Sequence, residues 1–257
     1  MRKWIAGFVL CLSLLLAGCG GGGSGDAPVA SPEPRPTAAN GAASAGAASL
    51  APEAANAFGD LPTLMLTGEA DLRTFEILPD QSKAVYIVDE ELFADATRKY
   101  GLEVGKAKVT GTTRDVDGTF QIDLANKAIG AIRFAVYLPS LRTDQRLRDG
   151  WIRDNALESS RFPLAVFIAT GIRGAPADYE QGTVAEFQML GDLTVREITV
   201  PTVWDVSATL SGDTLTGIAE TRLRMTDFGF QPPDFANTLT VQDEFTVRLE
   251  FVAQAQQ

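Results

Sequence analysis

The sequence predicts an all-β fold: a closed antiparallel barrel of about eight strands, with one short helix between strands. Two observations carry this prediction. Apolar and polar residues alternate with a period of two in segment after segment, and residues typical of turns separate these segments. Closure into a barrel removes exposed strand edges, whereas an open β-sandwich is an alternative that alternation alone does not distinguish from a barrel.

Four segments alternate most regularly, and each has one apolar face. These faces are formed by Ile132, Phe134, Val136 and Leu138; by Ala185, Phe187, Met189, Leu193 and Val195; by Trp204, Val206 and Ala208; and by Phe245, Val247, Leu249 and Phe251. Polar residues such as Asp205, Arg248 and Glu250 lie on the opposite faces. The pattern is typical of an antiparallel sheet with one buried face.

Short turn signals lie between the alternating segments. The sequence Ser211-Gly212-Asp213 separates residues 199–210 from residues 214–224, and we expect these two segments to form a β-hairpin. Asp117-Gly118 is a second turn signal, because Asp and Gly tolerate the backbone conformations that tight turns require.

One stretch departs from the alternation. Residues 143–157 carry Leu147 and Trp151 at near-helical spacing, which predicts a short helix between two strands. Pro163 would end any helix and open the next predicted strand, residues 164–172, because the proline ring disfavours helical backbone just before it.

The first nineteen residues have the organisation of a bacterial lipoprotein signal. A basic start precedes the apolar run Trp4–Leu16, and the small pair Ala17-Gly18 before Cys19 resembles a lipobox. We therefore predict cleavage after residue 18, attachment of lipid such as palmitate to the Cys19 sulfur, and an extracytoplasmic protein anchored to a bacterial cell membrane. An ordinary signal peptide and a membrane-spanning helix are the alternatives, but the apolar run is shorter than the ~20 residues that a bilayer requires.

Residues 20–57 contain mostly Gly, Ser, Ala and Pro and scarcely any large apolar side chain. Such a segment buries too little surface to offset its chain entropy, so we interpret it as a flexible tether. The predicted organisation is a signal peptide at 1–18, the lipidated cysteine and tether at 19–57, and a barrel domain at 58–257.

Composition narrows the function. The chain has a formal net charge of −11, no histidine and two cysteines, of which Cys11 lies in the signal and Cys19 is the lipid site. The missing histidine excludes Ser-His-Asp triads and histidine-ligated zinc, so we rank an enzyme last. The acidic balance disfavours nucleic acid as a partner. Nothing in the composition indicates an oligomeric state.

Two charged motifs need an interpretation. The run Asp89-Glu90-Glu91 points alternately to both faces of a strand, so we interpret it as a solvated strand edge, with a calcium site as the less favoured reading. Arg148 and Asp149 in the predicted helix form either a local structural contact, which we favour, or a polar lid over a ligand headgroup.

Five motifs in a fixed order resemble the YceI-like family. They are the helical segment 143–153 with Asn155-Ala156-Leu157 and 161–167; Gly191-Asp192-Leu193-Thr194-Val195; Val203-Trp204-Asp205-Val206; Thr226-Asp227-Phe228-Gly229-Phe230; and Val241-Gln242-Asp243-Glu244-Phe245. Together they span roughly residues 74–252. Each motif is weak alone, but five in the right order are fairly specific.

The resemblance implies a lipocalin-like barrel that holds a long isoprenoid chain, a polyprenyl phosphate or an isoprenoid quinone, in an apolar cavity. The side chains it assigns to the cavity are Tyr86, Phe134, Val136, Trp151, Phe187, Met189, Trp204, Met225, Phe228 and Phe245. Arg148 and Asp149 would then form the lid or headgroup contact. Without the resemblance these apolar side chains read as core, so a structural or interaction lipoprotein with a solid-packed barrel is the second hypothesis.

Overall fold

The computed structural model describes residues 50–61, 64, 72–123, 128–176 and 180–256. The predicted signal peptide, Cys19 and most of the predicted tether lie outside the described residues. The helices are α1 (Pro52–Gly59), α2 (Ala94–Tyr100) and α3 (Arg146–Trp151). The strands are β1 (Arg73–Ile77), β2 (Lys83–Leu92), β3 (Gly105–Thr113), β4 (Val116–Asp123), β5 (Ala128–Tyr137), β6 (Leu164–Arg173), β7 (Ala185–Val195), β8 (Ile198–Ser211), β9 (Thr214–Arg224), β10 (Asp234–Phe235) and β11 (Leu239–Ala255).

The strands form a closed antiparallel barrel, as the sequence predicts. The hydrogen-bonded order is β1-β4-β5-β6-β7-β8-β9-β11, and β11 pairs back onto β1 to complete eight positions. The hairpin of β2 and β3 extends the sheet beyond β11, and β10 pairs with the start of β11. Because the sheet closes on itself, the sandwich alternative is excluded.

The edge of β11 that closes the barrel is shared by β1 and β2. Ile77 in β1 pairs with Ala253, and Lys83 in β2 pairs with Glu250. Between them, the Leu78 amide donates to the Val252 carbonyl at 2.8 Å, and a short 3-10 turn occupies Pro79–Gln81. Strands β1 and β2 therefore act as one interrupted strand that lines β11 over most of its length.

The barrel has two distinct ends. The α3 end is where β5, β7 and β9 finish and β6, β8 and β11 begin, and α3 follows β5 there. The hairpin end is where the Gly212–Asp213 turn joins β8 to β9 and where β11 finishes. The hairpin register, with Ser211 paired to Thr214, confirms the predicted β8–β9 hairpin.

Period-two alternation correctly predicts the inward faces of the strands. The core contains Ile132 and Phe134 of β5, Met189, Leu193 and Val195 of β7, Trp204, Val206 and Ala208 of β8, and Leu249 and Phe251 of β11. Asp205 is exposed on the outer face, as expected. The buried face therefore lies inside the barrel, where apolar burial supplies the main driving force.

Aromatic rings form a continuous contact across the interior, which we call the ring cluster. Its members are Phe120, Phe134, Phe167, Trp204 and Phe251. Phe120 meets Phe134 edge-on at 4.4 Å between ring centroids, and Phe120 stacks on Phe251 at 5.2 Å. These separations are within the favourable range for aromatic pairs, so this part of the barrel is packed solid.

The Asp117-Gly118 turn prediction is wrong. Both residues lie inside β4, where Gly118 pairs with Phe134. A Cβ atom on Gly118 would lie 2.8 Å from the Ile77 side chain and 2.9 Å from the Phe134 ring. The glycine is required here because a neighbouring strand and an aromatic ring approach closely, which is the other role of glycine in strands.

The helix predicted at residues 143–157 is present as α3, followed by a π-helical turn at Ile152–Ala156. Helices α1 and α2 were not predicted from the sequence. Helix α1 begins at Pro52, inside the segment predicted as tether, and packs on β5 with Ala54 fully buried. Pro at the first turn followed by alanines is a strong helix signal, and it explains why this alanine-rich segment folds. Among the described residues, no helix is both long enough and apolar enough to cross a membrane.

Candidate functional site

Inward-facing side chains of β11 divide into two groups. Leu249 and Phe251 are buried in the core, whereas Phe245 and Val247, on the same face toward the α3 end, are only partly buried. Val247 lies in the middle of the strand, with β9 on one side and β2 on the other. Both side chains pack against the core, and their partial exposure indicates that the interior is less densely packed toward the α3 end.

Tyr86 is the neighbour of Val247 on β2 and points to the same face. Its ring lies against Gly111 of β3, where a Cβ atom would overlap the ring. We call Tyr86, Phe245 and Val247 the open section of the interior. All three side chains are partly buried, and they lie on two hydrogen-bonded strands, β2 and β11.

The hydroxyl of Tyr86 is buried and has no hydrogen-bond partner in the part of the chain that the structure describes. Burial raises the pKa of this phenol well above its usual value of 10.0, although the Arg148 guanidinium opposes the shift. The hydroxyl therefore stays protonated at neutral pH and remains a hydrogen-bond donor. An unpaired buried donor costs free energy, so a polar ligand atom placed beside it would be stabilised.

Helix α3 is fixed to the β2–β3 hairpin by a buried ion pair. The Arg148 Nη2 atom lies 3.2 Å from Oε1 of Glu90, whose side chain is 3% exposed. Arg148 Nη1 also contacts Asp144 Oδ1 at 2.5 Å and Thr143 Oγ1 at 3.4 Å. The guanidinium thus carries contacts to two carboxylates and a hydroxyl, and these hold α3 over the inner face of β2.

The interpretation of Asp89-Glu90-Glu91 as a solvated edge is wrong. Strand β2 is paired on both sides, to β11 and to β3, so it is not an edge. Glu90 faces inward and binds Arg148, while Asp89 faces outward and pairs with Lys108 at 2.8 Å. The alternation of Tyr86 and Val88 along β2 would have placed Glu90 on the inner face, and this signal was available in the sequence.

Asp149 fixes the beginning of α3. Its Oδ1 atom accepts hydrogen bonds from the Thr143 amide at 2.9 Å and from the Thr143 hydroxyl at 2.7 Å. Asp149 is 5% exposed, so both bonds are shielded from water. This geometry corresponds to the structural contact favoured from the sequence, because both charged residues already have protein partners.

The predicted cavity residues differ in where the structure places them. Phe134, Met189, Trp204 and Phe228 belong to the buried core, and Val136, Phe187 and Phe245 pack against it while partly exposed. Tyr86 belongs to the open section. Trp151 lies on α3 edge-on to Phe235 of β10, at 5.7 Å, and Met225 begins the 3-10 turn Met225–Phe228, both outside the core cluster.

Sequence reasoning did not single out several side chains that complete the interior. Phe120 and Phe167 supply two of the five rings of the ring cluster. Thr202 is buried and accepts a hydrogen bond from the Trp204 indole at 3.0 Å. That bond satisfies the indole N–H inside the core, so Trp204 has no donor left for a ligand. Alternation in β8 placed Thr202 on the inner face two residues before Trp204.

The fold and this interior define a class: a closed antiparallel barrel with an apolar interior that is densely packed at the ring cluster and less densely packed beside α3. The profile of the YceI-like domain matches residues 76–253. The chain belongs to the YceI-like family.

Curated relatives agree with this assignment. The chain is 30% identical over 134 residues to a UPF0312 protein of Pseudomonas fluorescens, covering 51% of this chain and 64% of that protein. It is 27% identical over 135 residues to the protein YceI of Escherichia coli, covering 50% of this chain and 66% of that protein. The matched segment thus spans just under two thirds of the length of these relatives.

Solved structures show the same fold at low sequence identity. BcnA of Burkholderia cenocepacia is similar with a TM-score of 0.54 and 16% identity, covering 69% of this chain and 99% of that one. A polyisoprenoid binding domain from Saccharophagus degradans, implicated in plant cell wall breakdown, has a TM-score of 0.52 and 12% identity, covering 71% of this chain and 98% of that one.

Proposed function

We propose that the protein binds a long isoprenoid lipid, a polyprenyl phosphate or an isoprenoid quinone, inside its barrel. The observation that carries the proposal is the open section, where Tyr86, Phe245 and Val247 face inward and yet are partly exposed. Family membership and the polyisoprenoid binding domain from Saccharophagus degradans support the chemical class of the ligand.

Burial supplies the binding energy in this proposal. A hydrocarbon tail gains about 25 cal/mol for each Å² removed from water, so a long chain along Phe245 and Val247 needs few polar contacts. The ring cluster limits how deep the tail reaches, because its rings are already in mutual contact. Selectivity for chain length then follows from the depth of the open section.

The polar end of the ligand lies beside α3 in this proposal. The Tyr86 hydroxyl is the unsatisfied donor at this position, and it would bond to a quinone carbonyl or a phosphate oxygen. Arg148 already contacts Glu90 and Asp144, so its contribution to the ligand is electrostatic and secondary.

We further propose that the domain works outside the cytoplasm, held to a membrane by lipid on Cys19. The support is the sequence alone: a basic start, a short apolar run and the lipobox-like Ala17-Gly18-Cys19. In a Cys19→Ser variant the domain should fold and lose its stable attachment to membranes, which fractionation of cells would measure. Attachment of the variant equal to that of the wild type would contradict the proposed anchor.

The ligand proposal is tested by filling the open section. The full chain is purified, examined by native mass spectrometry and extracted with organic solvent to identify lipid. Val247→Trp should abolish lipid retention while leaving the thermal midpoint close to that of the wild type, because the indole occupies space that the ligand needs. Thr246→Trp is the matched control, since it places the same side chain on the outer face of the same strand.

Either of two results would contradict the proposal. The wild type could retain no isoprenoid and take up neither an isoprenoid quinone nor a polyprenyl phosphate from added stocks. Alternatively, Val247→Trp could unfold the domain while Thr246→Trp does not, which would show a solid interior and favour a structural or interaction lipoprotein.

A further inference from the structure

Four charged side chains act electrostatically on the Tyr86 hydroxyl, and their signs are unequal. Arg148 carries a positive charge, whereas Glu90, Asp144 and Asp149 each carry a negative charge. One positive against three negative charges leaves a net formal charge of −2. Glu90 and Asp149 are both buried, so solvent screens their charges weakly. The polar end of the open section is therefore a negative environment.

This environment disfavours further negative charge at the Tyr86 hydroxyl. Burial is the main cause that raises the pKa of the phenol, and the carboxylates of Asp149, Glu90 and Asp144 raise it further, while Arg148 lowers it. A raised pKa of a phenol means that its surroundings disfavour the anionic form. A phosphate oxygen bonded to this hydroxyl would lie one hydrogen-bond length away, in the same buried and negative surroundings. We expect that anion to be disfavoured for the same reasons.

The Arg148 guanidinium is already committed to protein partners. Its Nη2 atom lies 3.2 Å from Glu90 Oε1, and its Nη1 atom lies 2.5 Å from Asp144 Oδ1 and 3.4 Å from Thr143 Oγ1. Turning Arg148 toward a phosphate would leave the buried Glu90 carboxylate without its partner, which is strongly unfavourable. Arg148 is therefore a poor neutralising group for an anionic lipid head.

Arg146 and Arg153 are the other basic residues of segment 143–157. Arg146 is exposed on α3. Arg153 lies in the π-helical turn, and its Nη2 atom is 3.9 Å from the position that a Cβ atom on Gly150 would occupy, so the side chain runs back along the helix. Neither arginine is among the charges with the largest effects on the Tyr86 phenol. They do not offset the three carboxylates at this hydroxyl.

An uncharged acceptor fits the same position. A carbonyl oxygen accepts a hydrogen bond without a net charge, so it would satisfy the buried Tyr86 donor and add nothing to the negative charge. A quinone head carries its carbonyls on an apolar ring. That ring suits the partly buried apolar side chains of Phe245 and Val247 in the open section.

We propose that the barrel selects isoprenoid lipids with an uncharged, hydrogen-bond-accepting head, the class of the isoprenoid quinones, and rejects polyprenyl phosphates. This inference rests on the proposed function and separates the two ligand classes that the proposed function leaves open. Tyr86 is the specificity-determining residue because its hydroxyl donates to the head. Glu90, with Asp144 and Asp149, excludes the anion.

The first test is competitive uptake by the full chain. The protein is incubated with detergent micelles that contain equal amounts of an isoprenoid quinone and a polyprenyl phosphate of the same chain length, re-isolated by gel filtration and extracted with solvent. We expect the quinone to be retained in more than about tenfold excess, because a buried and unpaired charge is disfavoured by more than the free energy of a tenfold change.

The second test removes the hydroxyl and keeps the ring. Tyr86→Phe should reduce retention of the quinone by about fivefold, as expected for the loss of one hydrogen bond between uncharged groups. Tyr100→Phe is the matched control, because it removes the same hydroxyl from an exposed ring at the end of α2. Its retention of the quinone should equal that of the wild type.

The third test removes a buried negative charge. Glu90→Gln releases Arg148 from its ion pair, so uptake of the polyprenyl phosphate should rise several-fold while uptake of the quinone changes little. Asp89→Asn is the matched control, because Asp89 pairs with Lys108 on the outer face of β2. Circular dichroism verifies folding. If Glu90→Gln does not fold, Asp144→Asn replaces it, since the Asp144 side chain is 73% exposed.

Retention of the phosphate at or above that of the quinone would overturn this inference and leave the proposed isoprenoid ligand in place. The assignment to these residues is also overturned if Tyr86→Phe retains as much quinone as the wild type and removal of the acid brings no gain of phosphate. Retention of neither lipid would overturn the proposed function and this inference together.

Discussion

Two sections of one strand differ although their sequence pattern is the same. On β11, Phe251 stacks on Phe120 and is 4% exposed, whereas Phe245, six residues earlier on the same face, is partly exposed beside Val247. The alternation that places both inward is identical. Phe251 lies against the rings of Phe120 and Phe134, whereas Phe245 lies on the part of β11 that pairs with β2, the strand whose Glu90 binds Arg148 of α3.

This difference shows how one barrel serves two purposes. The ring cluster supplies a dense core that no disulfide needs to support. The open section is less densely packed than the ring cluster. Beside it, the ion pair between Arg148 and Glu90 holds α3 in position. A barrel of eight strands is wide enough for either arrangement, and its side chains decide which occurs at each level.

The largest expected effect is at the ring cluster. Phe251→Ala removes a ring that contacts Phe120 and Phe134, and the surrounding barrel cannot collapse into the space. We expect the free energy of unfolding to fall by about 3–5 kcal/mol. Denaturant unfolding monitored by circular dichroism measures it. A loss below about 1 kcal/mol would show that the ring cluster is not solid.

The ion pair at α3 gives the next effect. Arg148→Met leaves the Glu90 carboxylate buried without its partner, and we expect a loss of about 2–4 kcal/mol, reduced because Arg148 is itself partly exposed. Adding Glu90→Gln to Arg148→Met should restore part of the loss, since the buried charge is removed. If the double variant is no more stable than Arg148→Met, the pair does not hold the helix as inferred.

The third effect sharpens the comparison on β11 directly. Phe245→Ala should cost about 1–2 kcal/mol, less than half the cost of Phe251→Ala, because part of the Phe245 ring is already in contact with water. The same denaturant titration compares the two variants. The Phe245→Ala protein should also retain less lipid, and the fall should be larger than the fraction of protein that its lower stability leaves unfolded. Equal stability losses would place both rings in one continuous core.

Much of the fold follows from the sequence, because period-two alternation reports which face of a strand is buried. The faces of β5, β7, β8 and β11 and the β8–β9 hairpin were all readable in this way. The position of Gly118 inside β4 could not be predicted in this way, because the sequence Asp-Gly occurs both in turns and where two strands approach closely. The distinction depends on the Phe134 ring, which only the folded structure brings near.

The site was less accessible from sequence than the fold. Alternation places Phe245 and Phe251 on one face but does not say which of them is packed, since that depends on the opposite wall of the barrel. The pairing of Glu90 with Arg148 joins residues 58 positions apart, which no local pattern indicates. Tyr86 was named through the family resemblance, and its unpaired hydroxyl became visible only in three dimensions.

The smallest expected effect tests a contact at the α3 end that is neither ring cluster nor open section. Asp243 accepts hydrogen bonds from the Thr226 amide at 3.0 Å and the Thr226 hydroxyl at 2.7 Å, which fix the turn that leads to the buried Phe228. Partial burial acts to raise the pKa of Asp243, but the hydrogen bonds outweigh it and the pKa is lowered below its usual value of 3.8. A carboxylate with a lowered pKa stabilises the fold at pH values above its unfolded-state pKa, and that stability is lost as the pH falls through its folded-state pKa.

Asp243→Asn should therefore lower the free energy of unfolding by less than about 1 kcal/mol at neutral pH, as at other exposed capping residues. The difference from the wild type should shrink toward zero on acidification below the usual pKa. Denaturant unfolding of both proteins across this pH range measures the difference, and a constant gap would show that the Asp243 contribution does not depend on its charge.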